Sequence, residues 1–155
     1  MSIRAQNIRV LMLGLMPVVA SVSLDGPSYG QSKEMVKSRL SATVHECERD
    51  PQNIGTVQQA GCYADEEVRQ DKILDETWAR TIAHLPPDKL VSLRKDERAW
   101  IKLRDRTCMG IRVWYRGSTE GYMYNSCMTE EDIRRTIWLE RGAKGAFVIP
   151  QRMGP

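Results

Sequence analysis

From Ala64 onward one row of positions recurs every three or four residues: Ala64, Val68, Asp71, Leu74, Trp78, Ile82 and Leu85. All but Asp71 are apolar, and the spacing predicts one face of a long helix. Pro86-Pro87 ends that helix, because proline cannot continue the hydrogen-bond ladder and pushes the residue before it out of helical geometry. A second helix is expected from about Asp88, with the row Leu90, Leu93, Glu97, Trp100, Arg104, Cys108 and Ile111. Gly117-Ser118 breaks it, and a third helical stretch follows through Tyr122, Cys127, Ile133, Ile137 and Leu139. Ahead of these, Ser32 is placed to cap a shorter helix from Lys33 to about His45, with Met35, Leu40 and Val44 as its apolar positions. Asp50-Pro51 and Gly55 punctuate a loop. Short breaks between long helices imply antiparallel neighbours. The expected fold is therefore all-α: a small antiparallel bundle of about three main helices.

The first residues change the picture. Arg4 and Arg9 precede an apolar run from Val10 to Val22, followed by small residues at Ala20, Ser21 and Ser23, which is the layout of a secretory signal peptide. The run is too short to span a bilayer of about 30 Å comfortably, and no second apolar run follows. No cysteine stands at its end to carry a lipid anchor. The expected organisation is a signal peptide over 1–23, a loose Gly-, Pro- and Ser-containing leader over 24–31, a helical domain over 32–141 and a tail over 142–155 with Gly142, Gly145, Pro150 and Pro155. The mature chain is expected to be periplasmic or secreted.

That address decides how the cysteines read. An even number, Cys47, Cys62, Cys108 and Cys127, in a chain bound for an oxidising compartment implies two disulfides. A zinc site would show close pairs such as C-x-x-C, which are absent. Of three connectivities, Cys47 with Cys62 and Cys108 with Cys127 closes two short local loops, each bond contributing about 3 kcal/mol by loop entropy.

The formal charge of +3 includes the two signal-peptide arginines, Arg4 and Arg9, so the mature chain is expected to sit near +1 and bulk charge identifies no partner. Its distribution is more telling. Glu46 to Trp78 holds nine acids against Arg49, Arg69 and Lys72, and Lys89 to Arg116 holds nine bases against Asp96, Glu97 and Asp105. Either two neighbouring helices complement each other's charge, or an acidic face docks a basic protein. Near-neutral charge and the exported address argue against nucleic acid.

The stretch from Cys62 to Leu139 resembles the lysozyme inhibitor LprI-like N-terminal domain family of bacterial envelope proteins. In that family a cysteine precedes a helix with an Asp-x-x-Leu-Asn-x-x-Tyr core, answered here by Asp71, Leu74, Asp75 and Trp78. The family element Leu-Arg-x-x-Gln-Arg-Ala-Trp-Ile-x-x-Arg-Asp-x-x-Cys is matched by Leu93, Arg94, Glu97, Arg98, Ala99, Trp100, Ile101, Arg104, Asp105 and Cys108. A Gly-Ser turn at Gly117 and Ser118, a second cysteine at Cys127 and an arginine at Arg135 complete the pattern. Asp75, Trp78 and Glu97 depart from the family's asparagine, tyrosine and glutamine while keeping similar shapes. The resemblance implies a helical envelope protein that binds another protein, with lysozyme the candidate partner.

Catalysis finds less support. His45 and His84 stand alone, no glycine-flanked nucleophile occurs, and no cofactor or metal is implied. Asp71 and Asp75, one helical turn apart, are the best carboxylate pair for a rival reading as a peptidoglycan hydrolase. A structural envelope module is the third reading. Arg104 sits on an apolar row and is expected to pair with Asp71 or Glu97, since an unpaired buried charge costs several kcal/mol. For an inhibitor, two contact elements stand out: acidic Asp65, Glu66 and Glu67 to steer in a basic enzyme, and a loop carrying Arg112 and Arg116 to reach a cleft lined with carboxylates.

Overall fold

A computed structural model of the protein describes residues 31–142, and these form helices without any strand. The expected signal peptide over 1–23, the expected leader apart from residue 31 and the expected tail apart from residue 142 lie outside the described residues. In chain order the elements are α1 (Lys33–Lys37), α2 (Ala42–Arg49), a 3-10 turn (Pro51–Asn53), α3 (Thr56–Ile82), α4 (Pro87–Trp114) and α5 (Ser118–Arg141). The three expected long helices are there, but five α-helices replace about three among the described residues.

The extra elements come from the segment expected to be one helix between Lys33 and His45. Ser32 does cap it, its Oγ accepting from the Met35 N–H at 3.2 Å. The helix then stops after Lys37 and a new one starts, with Ser41 as its own cap accepting from the Val44 N–H at 3.3 Å. A buried acid is responsible. Glu66 on α3 accepts the Ser41 N–H at 2.9 Å and the Ser41 hydroxyl at 2.5 Å, drawing that residue out of the helical ladder.

The order of contacts fixes how the long helices run. Between α4 and α5, Arg112 meets Glu120, Cys108 bonds Cys127, Arg104 meets Asp132 and Glu97 meets Arg135, so these two helices run in opposite directions. Between α3 and α5, the Asn125 amide donates to the Ala60 carbonyl at 2.9 Å, and the Thr129 hydroxyl donates to the Tyr63 carbonyl. Further along, Leu74 and Leu139 share one apolar cluster. Hence α3 and α5 run the same way, in contrast to the opposed pair α4 and α5. Gly121 faces Ala60 across the α3–α5 contact, where an added Cβ would lie 3.4 Å from the Ala60 side chain.

Burial confirms one predicted row and corrects the other. On α4, Leu93, Trp100 and Cys108 are buried, with Leu90, Glu97, Arg104 and Ile111 half-buried, as the spacing predicts. On α3 the buried face is Cys62, Tyr63, Glu66, Gln70, Leu74, Thr77 and Thr81, whereas Val68 and Asp71 are exposed. The true face is rotated from the predicted one because half its members are polar, which hides it from an apolar count. The helix also begins at Thr56, so Cys62 lies inside it and not in a loop before it.

Three apolar clusters share the interior. Leu74, Leu93, Trp100 and Leu139 form the one at the Pro86 end, with Trp78, Ile82, Leu85 and Trp138 against it. Val36 packs on Ile133 and Ile137, and Val44 packs on Cys62 and Tyr63. The disulfides Cys47–Cys62 and Cys108–Cys127 form as expected, tying α2 to α3 and α4 to α5, and no free cysteine is present. Trp100 is only 7% exposed. Deleting its ring should therefore cost about 3 to 5 kcal/mol, read as a lowered denaturation midpoint of Trp100→Ala by circular dichroism. An unchanged midpoint would contradict the packing.

Candidate partner-binding surface

The end of α4 and start of α5 form a turn held by fixed covalent and backbone constraints. The Cys108–Cys127 bond joins the two helices behind it, with Cα atoms 5.7 Å apart. At the turn, the Tyr115 N–H closes α4 on the Ile111 carbonyl at 2.9 Å. Gly117 then reverses the chain with φ +87°, a backbone region that side chains other than glycine's rarely adopt. What this turn displays is unusual for a surface. Trp114 is 86% exposed, and Val113, Tyr115 and Arg116 are exposed beside it in sequence.

The sequence-predicted loop arginines separate here. Arg112 is exposed but paired: its Nε donates to Glu120 at 2.7 Å, and its guanidinium lies 5.0 Å from the centre of the Tyr124 ring. It braces the turn. Arg116 is exposed with no ion-pair partner among the described residues. Trp114 and Tyr115 escaped the sequence reading because they follow the last predicted helical row, and only the structure shows that nothing covers them.

The acidic element separates likewise. Asp65 is exposed and Glu67 half-buried, but Glu66 is fully buried at 0% exposure and must be withdrawn from any docking face. Burial alone would raise the Glu66 pKa, yet it is lowered, because donors from Ser41, Gln70, the Ser41 backbone and Arg69 together outweigh desolvation. Gln70 Nε2 and Arg69 Nε approach its oxygens at 2.8 and 2.9 Å. Glu66 thus organises the α2–α3 contact. The exposed acids of α3 are Asp65, Asp71, Asp75 and Glu76.

Arg104 pairs with neither Asp71 nor Glu97. Its Nη1 donates to Asp132 on α5 at 2.7 Å, and its Nε and Nη2 reach Asp105 at 3.1 and 3.0 Å. Glu97 is taken by Arg135, whose Nη2 and Nε lie 2.6 and 2.8 Å from Oε2, while Asp96 accepts from Nη2 at 2.7 Å. Both guanidiniums stack on Trp100, at 5.1 and 5.3 Å from its ring centre, and Arg135 also lies 4.1 Å from that of Trp138. Trp100 is therefore the hub of a buried ion-pair system and not a ligand platform. Asp132 was missed in the sequence because it falls on α5 among polar residues. Of the resemblance-derived positions, Leu74, Trp78, Trp100, Arg104 and Asp105 gather around this system or its apolar neighbour, while Asp71 and Arg98 are exposed.

A model of the lysozyme inhibitor LprI family matches residues 47–139, spanning both disulfides, the Trp100 hub and the exposed turn. The chain belongs to that family. No curated protein and no solved structure matches it. Among the described residues no cluster of histidine, cysteine or carboxylate side chains suits a metal, and no helix is long and apolar enough to cross a membrane. The family match covers the α4–α5 turn, so the exposed Trp114 and Arg116 lie within the part of the chain that the family shares.

Asp132 makes a pH dependence testable. It is 1% exposed, and burial pushes its pKa from 3.8 up to about 6 despite Arg104, with Asp71 and Glu67 adding repulsion. A raised carboxyl pKa means the folded state binds the proton more tightly than the unfolded chain. Its contribution to stability therefore falls as pH rises from about 4 through about 6. Glu97, Glu67 and Glu131 are shifted in the same direction, burial being the first cause for each. Glu66 has the opposite sign, but acts below its ordinary value of 4.5. The expected result is a higher melting temperature near pH 5 than near pH 7.5, with a slope worth about 1 to 3 kcal/mol that Asp132→Asn reduces. A parent melting temperature that rises with pH across this window would contradict the assignment.

Proposed function

We propose that this protein is an exported, non-catalytic binding domain that inhibits a lysozyme. The family supplies the partner class, and the paired cysteines suit an oxidising compartment outside the cytoplasm. Trp114 supplies the contact, and it is the observation that carries the reading: a large aromatic exposed on a turn braced by a disulfide and by Arg112. Interface hot spots are enriched in tryptophan, tyrosine and arginine, and Trp114, Tyr115 and Arg116 present all three in succession. A rigid support lowers the entropy lost when such a turn is captured.

Charge divides the work between two elements. A strongly basic lysozyme is drawn in by the exposed acids Asp65, Asp71, Asp75 and Glu76 of α3, an attraction weakened by salt. The turn then blocks the cleft, with Arg116 offering its guanidinium to cleft carboxylates. The acidic approach expected of Asp65, Glu66 and Glu67 thus passes to Asp65, Asp71, Asp75 and Glu76, Glu66 being buried and Glu67 half-buried, and of the two loop arginines Arg116 keeps the blocking role, joined by Trp114.

The test is protection of purified cell walls from an added animal-type lysozyme, followed by turbidity. Trp114→Ala with Arg116→Ala should raise the concentration needed for inhibition about 30-fold or more, the loss of one strong hot spot, while leaving the melting temperature unchanged. Replacing Asp65, Asp75 and Glu76 by lysine should slow association at low salt only. Wall clearing by the protein alone would instead favour a hydrolase that uses Asp71 and Asp75.

A further inference from the structure

The outward face of α4 carries a charge pattern that inhibition does not use. At 3.6 residues per turn, Val91, Lys95, Arg98, Lys102, Arg106, Met109 and Val113 fall within an arc of about 80°. The arc lies opposite the side that holds Leu93, Glu97, Trp100, Arg104 and Cys108 against α5. All seven of its residues are exposed, and none of the four bases has an ion-pair partner among the described residues. Arg94 is likewise exposed at its edge. The acids on this half of the helix are Asp88 in the first turn and Asp105, which Arg104 holds at 3.0 Å. The bases span the twelve residues from Lys95 to Arg106, about 16 Å of straight helix.

We propose that this ridge is an adsorption surface for anionic phospholipid. Unpaired cations in a row on a stable helix attract a negative surface. The flanks choose among anionic partners. Val91 at one end of the ridge, and Met109 with Val113 at the other, are exposed on the same face as the bases. A soluble polyanion or an acidic glycan leaves such side chains in water, whereas a bilayer boundary takes them up between headgroups. Fluid headgroups also rearrange around the irregular i, i+3, i+7, i+11 spacing of the bases, which a rigid acidic protein surface would have to match. The acids proposed to attract lysozyme lie on α3, whereas the ridge shares the end of α4 with the blocking turn, Val113 standing next to Trp114.

The experiment is cosedimentation of the protein, recovered from the exported fraction, with vesicles of phosphatidylglycerol and phosphatidylcholine and with vesicles of phosphatidylcholine alone. The parent should bind only the anionic vesicles, and added salt should release it. Lys95→Gln, Arg98→Gln, Lys102→Gln and Arg106→Gln together should weaken binding by at least about tenfold with unchanged helical circular dichroism. Met109→Ser with Val113→Ser should weaken vesicle binding while leaving retention on immobilised heparin, a soluble polyanion, as in the parent. The proposal is overturned if the parent ignores anionic vesicles or if the four-glutamine variant binds them equally well. It is also overturned if the two serine substitutions leave vesicle binding intact, since the ridge would then read charge alone.

Discussion

Arg135 is a cation that the fold has taken out of water, and the packing of α4 on α5 depends on how it is satisfied. Its side chain is 7% exposed, held by Glu97 and Asp96 from α4 and stacked between the rings of Trp100 and Trp138. A buried guanidinium without those partners would cost several kcal/mol, so α4 has to present Glu97 and Trp100 together, one turn apart, at a single height along α5. Arg104 one turn further repeats the arrangement toward Asp132, and Cys108 another turn on closes the register with a covalent bond. One helix face thus carries a carboxylate, an aromatic, a guanidinium and a disulfide sulfur in the order the opposing helix requires.

That face was legible in the sequence because its members keep helical spacing and include residues expensive to expose or to leave unpaired. The partner of Arg104 was not legible: Asp71 and Glu97 are the nearer choices on predicted rows, whereas Asp132 lies on a helix whose buried side includes Thr129, Asp132, Arg135 and Thr136. The same difficulty displaced the buried face of α3. Val68 looks like core by type and is exposed; Glu66 and Gln70 look like surface and are buried, because four donors converge on the Glu66 carboxylate. Hydropathy periodicity reads apolar rows well and polar cores badly. The division of the first helix at Ser41 follows from that unseen carboxylate, since a local sequence cannot show a hydrogen bond to a residue 25 positions away.

The surface follows from the interior. With charge pairs committed inside and both disulfides closed, three groups of exposed residues differ in chemistry: acids on α3, bases along the outer side of α4, and an aromatic turn between α4 and α5. The turn can afford exposed aromatics because its backbone is fixed from behind by Cys108–Cys127, by the Arg112–Glu120 pair and by Gly117. The disulfide therefore serves the proposed contact as well as stability, by holding Trp114 and Arg116 in place before a partner arrives.

The central claim is that this family member grips lysozyme through that turn. Amide hydrogen exchange of the protein, alone and with a saturating animal-type lysozyme, tests it most directly because it reports the partner and the contact together. The account predicts slowed exchange at the end of α4, through the turn and into the first residues of α5, with the Trp100 region already protected in the free protein. No change on adding lysozyme, or protection confined to helices away from the turn, would contradict it.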